Sequence, residues 1–290
     1  MSEGLVNDEK RQHSFQTPAP ICLRVEIPHG RIIVAAEATD VTRVELTAIH
    51  NDATARAWIA DAEIAQNGDE IVVRVRKSGR ALFGLAGGIE ASIHAPLGSA
   101  ATLSTGAGQV KTTGRLGNVS ARSGSGTIDL DDNDAADAGT GSGNIAIASS
   151  AGSIEAKTGS GRIIVGKVGV DARITTGSGR VTLGEAVGAA RLATGSGDIE
   201  VGQAGDSVEA VAASGSIKVS RADHGLARLR TNSGRVWVGV ANGAAALLDI
   251  TTMSGRVESE LQAVEEPAEG QRRVELVVST LSGNVNLVRA

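Results

Sequence analysis

The chain has 290 residues, a formal net charge of −5 and 38 glycines, against two Phe, two Trp and no Tyr. The acidic balance and the scarcity of rings exclude a nucleic-acid binder, which needs clustered Lys/Arg and stacking aromatics. A lone Cys22 excludes an internal disulfide, and no stretch approaches the ~20 apolar residues of a membrane-spanning helix.

The first residues, MSEGLVNDEKRQHSF, are polar and have no apolar signal-peptide core. Residues 1–13 are expected to form a flexible tail and the protein to be cytoplasmic, with export by another route left open. Residues 14–100 are predicted to form an irregular cap. Apolar residues alternate over Ile21–Ile27, and the run from His29 to Val34 has the form of a bend followed by a strand, so a first coil begins here. Another strand follows at Val44–Ala48. Asn51 or Asp52 then caps a short helix through about Ile64, with Trp58 and Ile59 facing the body. Asn67-Gly68 turns into a strand at Ile71–Val75, which predicts a hairpin, and Gly88–Ala95 is a further strand.

From residue 101 to 290 the chain repeats. A Ser-Gly or Ala-Gly pair places glycine at Gly108, Gly126, Gly143, Gly161, Gly179, Gly197, Gly215, Gly234, Gly255 and Gly283, at intervals of 18, 17, 18, 18, 18, 18, 19, 21 and 28. A period this short marks a chain winding on itself, each turn stacked on the last. Two residues after the glycine stands Val or Ile in every copy, and four after it Leu, Ile or Val in all but Thr112 and Ser259. Polar residues fall between them, which is the alternation of a strand. Seven and five residues before the glycine, a second apolar pair repeats, rich in alanine. Each coil therefore sends about five side chains inward, and each buried Ile or Val contributes roughly 1.5–3 kcal/mol. A position that accepts only glycine in ten copies needs positive φ or a backbone approach that a Cβ would block.

These features define an all-β, single-stranded parallel β-solenoid of about 18 residues per coil, with right-handed winding favoured by analogy. At ~4.8 Å per layer, ten coils make a rod of roughly 50 Å. Residues 261–273, charged and carrying Pro267, are read as a loop insertion in the last interval. The strand at Asn284–Val288 closes the array and is read as its free edge. The pattern TGSG-x-[IV]-x-[VL], as at 158–165 and 176–183, resembles the bacterial DUF4097 family of β-strand repeats, provisionally called adhesins, and in particular its actinobacterial members. The resemblance runs from about Phe15 to the end. It implies a parallel β-solenoid and supplies no catalytic residue.

Residues with chemical potential are few. Gly161–Lys167 imitates a phosphate loop, but Val168 stands where a metal-binding hydroxyl belongs, and Ile163 and Val165 are core positions. Asp129, Asp131, Asp132 and Asp134 are a candidate cation cluster. A solvated acidic turn is the favoured reading, because Asp134 and Thr140 occupy the glycine and glutamate positions of an EF-hand loop. The Thr/Ser column three residues before each glycine suggests an ice-binding face. Its parity instead points the hydroxyls inward, toward backbone groups that the bend leaves free. The five histidines have no metal-ligand spacing. Outward positions carry mixed charges together with Ile164 and Trp237, which are candidate contacts along with Asn284, Asn286 and Val288 on the expected terminal edge. The leading expectation is a non-enzymatic scaffold for protein–protein interaction or self-association through a flat face or the C-terminal edge. A surface adhesin or glycan-binding protein is the alternative, and a polysaccharide-acting enzyme the third reading. No cofactor is expected.

Overall fold

The computed structural model describes residues 4–7, 10–49, 53–76, 88–262 and 271–290. It resolves into two compact units, Met1–Ala148 and Ser149–Ala290: the second is a parallel β-solenoid, and the first has parallel solenoid coils joined to antiparallel strands and one helix. Every regular coil has one strand before the bend glycine and one after it, and each strand pairs in parallel with its counterparts in the coils on either side. Coils are named below by their bend glycine.

In the second unit the predicted seam is present. Ile163, Val181, Ile199, Ile217 and Val236 are successive partners in one ladder, and each is 0 % exposed. The column four residues after the glycine is equally dry, from Val165 through Leu183, Val201 and Val219 to Val238. The alanines seven residues after it (Ala186, Ala204, Ala222, Ala241) line the same interior. Small residues there let the two walls approach, and this is why aromatic rings are absent: the interior has no room for them.

The bend glycines are required for a steric reason. From Gly108 to Gly234 their φ values lie between 138° and 153°. A Cβ on Gly179 would sit 1.9 Å from the carbonyl oxygen of Gly161, one layer below. Gly255 and Gly283 are not among the glycines at positive φ and meet the second of the two expected conditions. They are held to glycine by approach alone, since a Cβ would lie 2.0 Å from Gly283 O and 1.8 Å from Gly234 O respectively. Gly30, at φ 124° and paired with Gly108, extends the series into the first unit.

The parity argument for the hydroxyl column holds. Thr176, Thr194 and Thr231 are buried, and their hydroxyls donate to the carbonyls of Gly161 (3.3 Å), Gly179 (3.1 Å) and Gly215 (2.9 Å). Ser123 and Thr140 do the same toward Gly108 and Gly126 in the first unit. An ice-ordering threonine face is thereby ruled out for this column, because its oxygens point into the corner.

Three expectations are corrected. First, the region expected to be a flexible tail contains strands. Lys10–Gln16 pairs antiparallel with Val41–Ile49, and Gly4–Asn7 pairs antiparallel with residues 10–13. Second, the helix spans Ala53–Ala60 and stops short of Ile64, which belongs to the hairpin strand Glu63–Asn67. Arg11 ends it by donating to the carbonyls of Ile59, Ala60 and Ala62. Trp58 and Ile59 are buried as predicted, whereas the capping residues Asn51 and Asp52 lie outside the described residues.

Third, the strand at Asn284–Val288 is not the free edge. Arg273–Ser282 pairs with Gly225–Ser233 on one side and Ala245–Ser254 on the other. Val285–Arg289 likewise lies between Val236–Val240 and Val257–Ser259. The Gly283 coil is wedged between the Gly234 and Gly255 coils, so the chain skips a layer and then returns to fill it. The intervals of 21 and 28 residues record this detour, rather than a loop inserted in a regular coil; of that segment, residues 263–270 lie outside the described residues. The first unit uses the same device. The Gly30 coil, Cys22–Ile27 and Gly30–Glu37, lies between Ala100–Thr113 on one side and Glu70–Arg74 with Gly88–Pro96 on the other.

Two outcomes test this architecture. Gly179→Ala and Gly243→Ala both place a side chain at positive φ, which costs ~1–2 kcal/mol, but a Cβ at Gly243 meets nothing within 4 Å. Thermal melting is expected to drop clearly further for Gly179→Ala; equal drops would refute the stacked-carbonyl explanation. Hydrogen exchange is expected to be slower in residues 283–289 than in 255–260, because among the described residues only the former have ladder partners on both sides.

Candidate functional site

Outward positions on the second wall form rows along the second unit. The row three residues after the glycine runs Ile164, Thr182, Glu200, Lys218, Trp237. Wedging of the Gly283 coil then places Asn286 directly beside Trp237, with Glu258 beyond it. Three candidate contacts, Trp237, Asn284 and Asn286, are therefore brought onto neighbouring coils of one face, with Val288 paired to Gly239 close by. Ile164, 42 % exposed, lies four layers away and does not join them.

The indole of Trp237 is half-buried, with the Lys218 ammonium 5.3 Å from its centroid, a cation–π contact. Beside it is a groove of about 420 Å³ bounded by Asp198, Glu200, Ser216, Lys218, Arg235 and Trp237. Asp198 is already engaged by the Arg180 guanidinium (3.3 Å) and the Ser216 N–H (3.0 Å). Asn284 acts in the same way further along the stack, accepting the Arg256 N–H at 3.1 Å. Short polar residues just after the bend thus tie one coil to the next, and Asn284 has a structural task that the sequence did not reveal.

The four aspartates do not converge. Asp131 accepts the N–H of Gly114 at 2.8 Å, and Asp134 pairs with Arg115 at 2.9 Å. Asp129 lies on the outer face of Ile128–Leu130. Among the described residues, no three His, Cys, Asp or Glu side chains are grouped to hold a metal ion. The first unit has a wider groove of about 620 Å³ on its outer face, floored by small residues such as Ala100, Thr102 and Ser120. Of the charged residues that line it, Arg24 pairs with Glu70 and Asp137 is engaged by Arg122 from outside the groove, while Asp69 also faces it.

The open surface of the second unit is its end coil. Ala245–Ser254 and Val257–Ser259 each have a ladder partner on one side only, among the described residues. Core-column positions are uncovered here, with Leu248 40 % and Val257 47 % exposed, and Leu247 and Met253 stand further out. Sequence reasoning places the free edge at the wrong coil, although the lengthened intervals carry the signal.

A polar clamp secures the wedge behind this surface. Asp223 is buried between the Arg221 guanidinium (2.8 Å) and the Gln203 amide (2.7 Å), with Arg272, at the entrance to the wedged strand, 3.7 Å away. Burial alone would raise its carboxyl. The hydrogen bonds from Arg221 and Gln203, with the charges of Arg221 and Arg272, outweigh that effect and hold it below the ordinary carboxylate value. At the other end of the wedge, Arg289 donates to the carbonyls of Ala244 (2.7 Å) and Ala241 (3.3 Å).

A chain built almost wholly of strands in stacked parallel coils falls in the class of β-solenoid repeat proteins. More particularly, the chain belongs to the Toastrack DUF4097 family, whose model matches residues 67–288. The match begins at residue 67, so residues 15–66 stand outside it. A search of curated proteins finds no match. Among solved structures, the chain is similar to a provisionally named lipid-binding protein of Parabacteroides distasonis ATCC 8503, at 10 % identity and TM-score 0.44, covering 98 % of each chain. It is also similar to a provisional adhesin of Parabacteroides merdae ATCC 43184, at 11 % identity and TM-score 0.43, again with 98 % of each chain covered. A provisional adhesin of Bacteroides fragilis NCTC 9343 has 12 % identity and TM-score 0.32, covering 97 % of this chain and 98 % of that one. No helix among the described residues is long and apolar enough to cross a membrane.

Because the Asp223 carboxyl is depressed in the folded state, its contribution to stability is present above the unfolded value of about 3.9 and is lost as pH falls through the folded one. Asp223→Asn is expected to lower stability by on the order of 1 kcal/mol at pH 7, and the gap to the unchanged protein should narrow steadily in melts below about pH 4. A gap independent of pH would show that the clamp does not act through its charge.

Proposed function

We propose that the chain is a non-enzymatic β-solenoid scaffold that binds protein through the open end of its second unit. The observation that carries this reading is the Gly255 coil: a strand edge without a partner among the described residues, joined to apolar side chains that the fold elsewhere keeps dry. Soluble proteins ordinarily blunt such edges with charge, bulges or a covering segment, and a strand edge with flanking apolar side chains is a recurrent way of recognising another polypeptide.

Trp237 supports a second reading, a glycan-binding or adhesive face. An indole beside carboxylate, guanidinium and amide groups, in a groove of about 420 Å³, offers an apolar edge and planar hydrogen-bonding partners to a sugar. Cation–π contact with Lys218 occupies part of the ring, which favours the end coil as the principal surface.

Affinity capture from the native cell separates the two. With Leu247 and Met253 both changed to Glu, proteins retained by the unchanged chain are expected to be lost, while Trp237→Ala leaves them in place. Identical sets retained by the unchanged and the end-coil variant would refute the leading reading. Glycan binding abolished by Trp237→Ala alone would establish the second.

A further inference from the structure

We infer that the occupant of the open coil end is a second copy of this chain, docked about a two-fold axis through the Gly255 coil. This rests on the reading above, that the coil end is a protein-binding surface, and names its partner.

Three observations converge on this surface. The first is exposure within a single column: Val257 is 47 % exposed, whereas the equivalent Ile163, Val181, Ile199, Ile217, Val236 and Val285 are 0 % exposed. The second is a change of residue type confined to this end. Two residues before the bend the second unit has Gly177 and Gly195, then Ala213 and Asn232, but Leu281 and Met253 in its last two layers. Leu281 is 50 % and Met253 79 % exposed, so bulk appears where the stack ends and continues onto the flank of the bend. The third is charge on the longer strand: Ala245–Ser254 has one charged residue, Asp249, in ten, and lacks the lysines that protect an exposed edge, the charge at this end being confined to the shorter wall at Arg256, Glu258 and Glu260.

These features specify the occupant. It must offer a free strand edge and apolar residues at two-residue spacing on two walls about 10 Å apart, with little charge to repel this strand. The Gly255 coil of another copy meets each condition. Rotation by a two-fold axis reverses strand direction, so the ladder between copies is antiparallel, and the contact uses the same patch on both sides and closes on itself. Head-to-tail stacking onto the first unit's outermost coil is blocked, because Gly88–Pro96 and Glu70–Arg74 are already paired antiparallel with Val41–Ile49 and Glu63–Asn67. The size also suffices: an end face roughly 30 Å by 20 Å on each copy buries on the order of 1,200 Å² in total, the lower end of a specific interface.

The test is the mass of the full chain in solution, by light scattering over a concentration series, for the unchanged protein and for the double variant Leu247→Glu, Met253→Glu. Both positions are largely exposed, so circular dichroism and melting should be unchanged. The unchanged chain is expected at twice its monomer mass and the variant at the monomer mass at the same concentrations. In a Cys22→Ser background, Thr251→Cys should form a disulfide-linked dimer on mild oxidation, and the Glu substitutions should abolish it. A monomer up to about 1 mM overturns the inference, as does a dimer indifferent to the Glu substitutions or a mass that grows without limit. If the monomeric chain still captures another protein in a manner lost in the Glu variant, the second copy is wrong and the binding surface stands. If it captures none, both fall.

Discussion

Everything in this fold depends on how closely one layer approaches the next at the bend. The carbonyl of each bend glycine lies where the Cβ of the next would be, and that carbonyl also accepts the hydroxyl of the buried Thr or Ser in most coils. A single side chain at the bend would separate two layers, and with them the ladders on both walls. Glycine and threonine therefore act as one unit: one permits the approach, the other satisfies the oxygen that the approach buries. Where the hydroxyl has no partner, at Thr105 and Thr280, the coil belongs to or adjoins a wedged layer, so the irregularity of the corner follows the irregularity of the winding.

The inward columns support this constraint without directing it. Ile, Val and Leu on one wall face a wall in which Ala alternates with Ile, Leu and Val, giving an interior too thin for rings, and long runs of similar neighbours make each coil's packing a copy of the last. Mixed outward charges have a modest effect. Pairs such as Lys167–Glu185 and Arg180–Asp198 are exposed and add little stability, but their alternation keeps the flank soluble and unsuited to sideways sheet pairing. In the end coil, Ala245–Ser254 has little of this protection, with Asp249 its one charged residue.

Much of this is legible in the residues. The 18-residue period defines the layer, alternation defines which side chains face inward, and parity alone predicts that the threonine hydroxyls are buried. What escapes is the order of the layers. A period reports the length of a turn but says nothing about which turn it lies on, so Asn284–Val288 reads as an edge although it is an interior strand. The adjacency of Trp237 and Asn286 escapes for the same reason, since it exists only because a coil is skipped. The intervals of 21 and 28 are the available signal, together with the replacement of glycine by Leu281 and Met253 beside the bend. The strands before residue 17 are hidden because Lys10–Gln16 is mostly polar and half-buried, with Phe15 alone buried, and so shows no apolar period.

The wedged coil also gives the molecule a direction in time. On the ribosome, residues 245–259 emerge before the layer that must lie beneath them, and until residues 273–289 follow they have no sheet to join. That outer layer is thus completed by one made after it. A nascent chain interrupted in between presents an unfinished stack, and the surface that the finished protein displays at that end comes into being only when synthesis has passed through the wedge.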